Sequence, residues 1–273
     1  MPQLADRYLA AVVDGFEQDE HGGDLLPAVL ARACVAVLPV TSAGLGLTDR
    51  LRVPLGASDD AAGRAERLQT TLGEGPCLTA IGAGQALSAD EATLAARWPV
   101  YHRELVRQTP FRSVASLPLR VAGQPPVGAL DLYSDGVRLD PGALAPDVQT
   151  AIADQISGLL LGAPLVAVDW TDRPVAAWLS GRAVADRMEV WKAVGMLMHA
   201  LGSTQRESLA LLRAYALEQG CTLDAVAGRL TEQQLAPTEV AQTGVGVAAL
   251  PPGVSSLDAQ RHAEPVRRRS GCV

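Results

Sequence analysis

The stretch from Val184 to Leu201 constrains the fold most strongly, because it is apolar on two sides of one helix. One set of apolar positions is Val184, Met188, Trp191, Gly195 and Met198, and a second set is Val190, Val194, Leu197 and Leu201. Both sets follow steps of three and four residues, which is the period of an α-helix. A single helix cannot bury two faces on one partner. We therefore predict that one face packs within the chain and that the other forms a homodimer.

Start and stop signals predict two more helices after this one. Gly202 can end the first helix, and Thr204 with Glu207 three residues later has the spacing of a capping box. Gly220 and Thr222 repeat the stop and start signals. The apolar positions expected to face the interior are Leu209, Leu212, Ala216, Leu223, Val226, Ala227 and Leu230. Residues 182–235 are therefore predicted to form a small, all-α three-helix bundle.

Three motifs in this region resemble the ANTAR domain, the three-helix module with which bacteria bind RNA hairpins and prevent transcription termination. They are R-M-E-V-W-K-A-V-G-M-L-M from Arg187, L-L-R-A-Y-A from Leu211 and L-D-A-V-A from Leu223. The chain departs from the family at Val194, where the family usually has the lysine of A-K-G. Lys192 stands two positions earlier, about 200° away on a helix. The resemblance implies an RNA-binding regulator that acts by transcription antitermination.

Four residues are the predicted RNA-binding surface, because they are basic or aromatic and the bundle core does not require them: Arg187, Lys192, Arg213 and Tyr215. Residues 182–235 carry six Lys or Arg and six Asp or Glu residues, so the bundle has no net charge. A neutral bundle binds phosphates only if its charges are segregated. A second interpretation therefore stands beside RNA binding, namely a protein–protein dimerisation adaptor that has lost RNA affinity.

Residues 1–165 are predicted to form an α+β domain. Strand-like segments lie at residues 41–48, 51–57, 112–121 and 127–134, and helical patterns precede, separate and follow them. Strands bracketed by helices in this way favour an antiparallel sheet with helices on its faces.

Four motifs of this domain, in this order, look like the GAF domain of actinobacterial sensor proteins. They are G-E-G-P-C from Gly73, R-W-P from Arg97, R-S-V-A-S-L-P-L from Arg112 and V-G-A-L-D-L-Y-S from Val127. The resemblance covers residues 20–162, and the whole chain is similar to the GAF-ANTAR regulators. It implies a signal sensor with an unknown small-molecule ligand and no assigned cofactor.

The candidates for the ligand pocket or sensor are Glu74, Pro76 and Cys77. Cys77 follows Pro76 at a predicted helix start, where the helix dipole can lower a thiol pKa and favour a redox switch. The other interpretation of Cys77 is a buried structural residue. The four histidines are dispersed, and the sequence has no nucleophile elbow, phosphate-binding glycine loop or metal-ligand spacing. We therefore expect no catalytic residues, no metal site and no enzyme.

The remaining segments predict location and organisation. No stretch has the roughly 18 apolar residues needed to span a bilayer, and the N-terminus lacks the pattern of a signal peptide, so we expect a cytoplasmic protein without a membrane partner. Residues 166–181 are predicted to be a linker whose tryptophans, Trp170 and Trp178, pack on one domain. Residues 236–273 are rich in Pro, Ala, Gly, Ser and Gln and are predicted to be disordered.

Overall fold

The computed structural model describes residues 2–17, 26–48, 51–121, 123–140, 144–162, 165–168, 174–176 and 182–244. The chain divides into two compact units, Met1–Ala185 and Asp186–Val273. Each unit is described by itself below.

The first unit alternates helices and strands. Its helices are α1 (Pro2–Glu17), α2 (Leu26–Val37), α3 (Asp60–Leu72), α4 (Pro76–Ala83), α5 (Glu91–Arg97), α6 (Pro99–Gln108) and α7 (Pro146–Leu161). Its strands are β1 (Ser42–Thr48), β2 (Arg52–Ala57), β3 (Leu87–Ala89), β4 (Ser113–Leu119), β5 (Gly128–Ser134), β6 (Leu165–Val168) and β7 (Pro174–Ala176).

Five strands form one antiparallel sheet in the order β2-β1-β5-β4-β3, which confirms the predicted α+β fold. Asp131 on β5 lies opposite both Gly44 on β1 and Ser116 on β4, so these three residues form a row across the sheet. Strand β3 was not predicted, because three residues are too few to show an alternating pattern.

Helices cover both faces of this sheet. Helices α2 and α7 pack on one face, where Leu45, Leu130 and Leu132 belong to the larger hydrophobic core. Helices α3 and α4 pack on the other face, and a second core there includes Trp98, Phe111 and Tyr133. The alternation along β5 places Asp131 on the same face as Tyr133, toward α3.

The G-E-G-P-C segment forms the predicted rigid turn with a helix behind it. Gly73 ends α3 in the left-handed region with φ of 71°, and its amide donates to the carbonyl of Gln69. Gly75 has φ of 142°, a conformation that side chains disfavour, and Pro76 then starts α4.

The C-terminal part of the chain holds helices α8 (Arg182–Leu201), α9 (Gln205–Gln219), α10 (Leu223–Thr231) and α11 (Pro237–Gly244). Both hydrogen bonds of the capping box are formed, because the side chains of Thr204 and Glu207 each accept from the other residue's backbone amide. Gly220 ends α9 with φ of 66°. Thr222 caps α10 by accepting from the amide of Ala225. The predicted helix starts and stops are therefore confirmed.

Two segments contain elements that the sequence did not predict. Residues 237–244, predicted to be disordered, form α11, which packs on α9 and buries Val240 completely. The Glu239 side chain accepts a hydrogen bond from the backbone amide of Ala236, and this bond caps the N-terminus of α11. Strands β6 and β7 pair within the predicted linker. Its tryptophans, Trp170 and Trp178, and residues 245–273 lie outside the described residues.

Candidate functional site

A buried arginine is the centre of a charged site in the first unit. Arg52 is the first residue of the edge strand β2, and its side chain crosses β1 to reach β5. It crosses over Gly46, where a Cβ atom would stand 2.6 Å from Arg52 Nη1. The glycine therefore makes room for the guanidinium, which is only 2% exposed.

Two carboxyl groups form ion pairs with this guanidinium. Arg52 Nη2 lies 2.9 Å from Asp131 Oδ2, and Nη1 donates to Glu66 Oε2 on α3. Both carboxylates are fully buried. Gly44 is required beside Glu66, because a Cβ at position 44 would lie 2.6 Å from the Glu66 carboxyl carbon. We call Arg52, Glu66 and Asp131 the charged cluster.

Neutral side chains also donate hydrogen bonds to the carboxyl oxygens of the charged cluster. Ser116 Oγ donates to Asp131 Oδ1 over 2.5 Å, and Tyr133 Oη donates to Glu66 Oε1 over 2.7 Å. Gln69 Nε2 donates to Asp131 Oδ2 over 2.8 Å, while its Oε1 accepts from the backbone amide of Cys77 over 3.0 Å. Gln69 thus connects the start of α4 to the charged cluster.

The charged cluster has one cation and two carboxyl groups, and its environment determines their protonation. Burial raises the pKa of Glu66 to about 8, against a smaller lowering by Arg52. The pKa of Arg52 lies well above its ordinary value, because the neighbouring acidic groups outweigh its burial. A proton held by Glu66 therefore balances the charge of the buried group near neutral pH.

The three sensor candidates lie next to this cluster in different environments. Pro76 is buried as the first residue of α4, and burial raises the pKa of Glu74, against a lowering by the backbone amide of Tyr101. The Cys77 thiol is free and fully buried, and this burial raises its pKa well above the usual range despite the nearby Arg52. An exposed thiol of low pKa, which a redox switch requires, is not what the structure has at Cys77.

An open pocket of about 360 Å³ lies elsewhere, among β3, α5 and the β5–α7 connection. Asp90 at its rim already accepts from the amide of Thr93 and lies 3.6 Å from Arg138 Nη2. These charged groups are therefore satisfied within the protein.

The four predicted RNA-binding residues lie in different environments, and RNA binding by them stays a prediction. Tyr215 is only 8% exposed and belongs to the interior of its unit, and Arg187 is only 4% exposed. Lys192 is exposed, and its Nζ lies 2.5 Å from Glu189 Oε1 on the same helix. The sequence pattern did not reveal the burial of Arg187, because Arg187 on α8 and Asp224 on α10 approach each other only in the folded unit.

Two of the four, Arg187 and Arg213, are close enough to interact electrostatically. Arg187 Nη2 lies 3.4 Å from Asp224 Oδ1 on α10. Arg213 on α9 is partly buried, and its Nε has no hydrogen-bond partner among the described residues. Burial, together with the charge of Arg187, lowers the pKa of Arg213 to about 10.

Helix α8 presents the two faces expected of it. Val190, Ala193, Val194 and Leu197 are buried. On the other face Met188 is 49% exposed and Met198 is 38% exposed, and Gly195 between them has open space around its Cβ position. The dimer itself remains a prediction.

Within the described ranges, no helix is long and apolar enough to cross a bilayer. The same ranges contain no group of three or more His, Cys, Asp or Glu residues arranged to hold a metal ion.

The described sheet and its covering helices agree with a comparison to known proteins. The sequence model of the GAF domain matches residues 22–160, which is just over half of the chain and ends before α8. No curated protein sequence matches the chain.

Several solved structures resemble parts of the chain at low identity. A GAF domain of a phosphoenolpyruvate-protein phosphotransferase from Coxiella burnetii is 14% identical, with a TM-score of 0.40 over 58% of this chain and 97% of that chain. A methyl-accepting chemotaxis protein is 15% identical, with a TM-score of 0.38 over 57% and 96%. Free methionine-R-sulfoxide reductase from Neisseria meningitidis is 16% identical, with a TM-score of 0.35 over 58% and 93%.

None of these structures is similar enough to transfer a ligand to this chain. The family match is sufficient for the class of module, because GAF domains are signal-sensing modules of regulators and sensors. The chain belongs to the GAF domain family.

Proposed function

We propose that this protein is a signal-responsive regulator in which the GAF domain receives a signal and the C-terminal helices bind RNA hairpins to favour transcription antitermination. The observation that carries the RNA part is the position of Arg213, a partly buried cation near Arg187 in a unit without net charge. A neutral unit needs such a local excess of positive charge to attract phosphates. The ANTAR-like motifs on α8, α9 and α10 support the same function.

The GAF domain supplies the sensing part of this proposal. The side chains of the charged cluster come from a strand at the sheet edge, a covering helix and a central strand. A small molecule that displaced one of them would change the packing of α3 on the sheet, because Glu66 and Gln69 both lie on α3. The signal would thereby alter a whole helix rather than one side chain.

Dimerisation through α8 is the second part of the proposal. Met188 and Met198 lie on the exposed face, and the unobstructed surface at Gly195 allows a second helix to approach closely. Paired units would present two RNA sites, which fits the binding of paired hairpins.

The direct test is crosslinking of RNA to the full chain in its own cell, followed by sequencing of the recovered RNA. We expect enrichment of hairpins near transcription terminators. Arg206→Gln on α9 is the matched control for the Arg213→Gln variant, because Arg206 is exposed on the same helix. Recovery of no RNA above background from the wild type would overturn the proposal.

A second candidate is the dimerisation adaptor without RNA affinity. The exposed apolar face of α8 and the absence of net charge favour it. A chain that sediments as a dimer and recovers no RNA is the result that selects this function.

A further inference from the structure

We propose that Cys221 and Cys272 are the site of a reversible intrachain disulfide, which ties the arginine-rich C-terminus to the turn between α9 and α10. Neither cysteine is part of the charged cluster or one of the predicted RNA-binding residues, so this modification goes beyond the proposed function.

The cysteines of the chain differ in their bonding and burial. Cys34 and Cys77 are free and completely buried. Cys221 is half-buried, and its sulfur is part of a disulfide. Cys272 is the fourth cysteine of the sequence and lies outside the described residues. Because Cys34 and Cys77 are free, Cys272 is the remaining partner for Cys221 within one chain.

Cys221 stands at a fixed point between two helices. Gly220 ends α9 in the left-handed region, and the backbone amide of Cys221 donates to the carbonyl of Ala216 over 2.8 Å. Thr222 caps α10 by accepting from the amide of Ala225. Hydrogen bonds on both sides therefore hold this part of the backbone, so a disulfide at Cys221 attaches the C-terminus to a defined turn.

The chain after α11 is long enough to return to this turn. Helix α11 packs on α9, whose 15 residues span about 22 Å at about 1.5 Å per residue. Residues 245–272 connect α11 to Cys272, and a segment of this length reaches about 90 Å when fully extended. The connection therefore exceeds the distance that it has to cover.

The disulfide changes which charges lie near the turn. Three consecutive arginines, residues 267–269, stand three to five positions before Cys272. The bond to Cys221 holds them within roughly 20 to 25 Å of the turn, because each extended residue adds at most about 3.6 Å and the disulfide itself adds about 5.5 Å. Oxidation thereby sets an upper limit on the distance between three cations and the α9–α10 turn, which the reduced chain lacks.

The bond forms by thiol–disulfide exchange with glutathione disulfide as the oxidant. The Cys221 thiolate attacks one sulfur of glutathione disulfide and releases one glutathione. The Cys272 thiolate then attacks the Cys221 sulfur of this mixed disulfide and releases the second glutathione. Two protein thiols are oxidised, one glutathione disulfide is reduced, and the protons of the two protein thiols pass to the released glutathiones.

Reversibility follows from the compartment expected from the sequence. Disulfides of cytoplasmic proteins are mostly transient, because glutathione and thioredoxin keep thiols reduced there. A bond between Cys221 and Cys272 in a cytoplasmic protein is therefore a redox-dependent modification rather than a permanent link.

The first experiment maps the bond in the full chain. The protein is equilibrated with glutathione disulfide, its remaining thiols are blocked with N-ethylmaleimide in denaturant, and it is digested with trypsin without reduction. Trypsin cleaves after arginine, so we expect the peptide of residues 214–229 to be linked to the peptide of residues 270–273. The peptides that contain Cys34 and Cys77 should carry N-ethylmaleimide.

Two results would overturn this pairing. The peptide 214–229 linked to a second copy of itself would place the bond between two chains. The same peptide carrying N-ethylmaleimide or glutathione would show that Cys272 does not close the bond.

Cysteine variants separate the proposed pair from the other thiols. Cys272→Ser should leave Cys221 as a mixed disulfide with glutathione. Cys34→Ala is the matched control at a free, buried cysteine and should keep the link, with Cys77→Ala as a second control should Cys34→Ala fail to fold. Loss of the link in a folded control variant would contradict an exclusive pair.

The second experiment tests whether the bond is reversible. The linked fraction of the wild type is measured after equilibration in mixtures of reduced and oxidised glutathione. We expect it to fall by about ten-fold or more when reduced glutathione predominates. A bond that persists there would be a permanent link and would overturn its role as a reversible modification. None of these outcomes depends on RNA, so the disulfide and the proposed function are tested separately.

Discussion

Arg52 and Arg213 show two opposite treatments of a buried positive charge in one chain. Arg52 is buried and paired with the carboxyl groups of Glu66 and Asp131, which also accept hydrogen bonds from Ser116, Tyr133 and Gln69. Arg213 is partly buried, and among the described residues no carboxylate forms an ion pair with it. Both arginines have a buried Nε without a hydrogen-bond partner among the described residues, but only Arg52 is paired with two carboxyl groups.

The largest change in the free energy of unfolding is expected when the cation of the charged cluster is removed. Arg52→Met leaves two carboxyl groups buried without their partner, so we expect it to lower the free energy of unfolding by about 3 to 5 kcal/mol. Urea denaturation of the full chain measures this loss.

Arg103→Met is the control for that measurement. The Arg103 side chain is 62% exposed and lies 3.7 Å from Glu104. Removing a surface pair of this kind costs less than about 1 kcal/mol. Equal losses in the two variants would show that the charged cluster does not stabilise the fold through its charges.

The second prediction concerns pH. The folded state raises the pKa of Glu66 from 4.5 to about 8, so it holds this proton more tightly than the unfolded chain does. The stabilisation by this proton is complete below about pH 4.5 and is lost as the pH rises to about 8, with a slope of at most about 1.4 kcal/mol per pH unit.

Glu66→Gln should remove this part of the pH dependence. The difference between wild type and variant in unfolding free energy, measured from about pH 5 to 8, isolates the group, since carboxyl groups of lowered pKa titrate below that range. Such groups include Asp59 and Glu104. Parallel curves for the two proteins would mean that Glu66 does not hold the proton.

The third prediction tests the space that Arg52 needs. A Cβ at position 46 would lie 2.6 Å from Arg52 Nη1, so Gly46→Ala should cost about 1 to 3 kcal/mol through displacement of the guanidinium. Gly158→Ala in α7 meets no atom within 4 Å and should stabilise the helix by about 0.5 to 1 kcal/mol. Chemical denaturation of both variants should therefore give changes of opposite sign, and a neutral Gly46→Ala would contradict the described clearance.

Local signals explain which parts of the structure the sequence predicted. The capping box at Thr204 and the stop at Gly220 depend on neighbours within a few residues, and both are formed as expected. The four longer strands of the sheet also follow from local patterns. Helix α11 was missed because the polar composition of residues 236–273 hid an eight-residue helix whose stability comes from packing on α9.

The charged cluster was missed for a different reason. Arg52 and Asp131 are 79 residues apart, and no local rule joins them. The sequence nevertheless holds a signal, because Arg52 and Asp131 are each a charged residue inside a segment that otherwise has the pattern of a buried strand. Strand β1, which lies between β2 and β5 in the sheet, also carries two glycines, Gly44 and Gly46. Charged residues in buried strands require partners, so these two positions indicate an opposite charge elsewhere in the chain.

The smallest expected effect is also the most direct test of the contrast between the two arginines. It is the hydrogen exchange of the α9 amides in full-length Arg213→Met and wild type, measured in dilute buffer without phosphate. If Arg213 lacks a counter-charge, its replacement by an apolar side chain of similar length should slow the exchange of these amides by a few-fold, because repulsion by Arg187 is removed. Faster exchange of the α9 amides in Arg213→Met would mean that the fold already satisfies Arg213, and it would contradict this interpretation. Arg52→Met should show such faster exchange for the amides of α3.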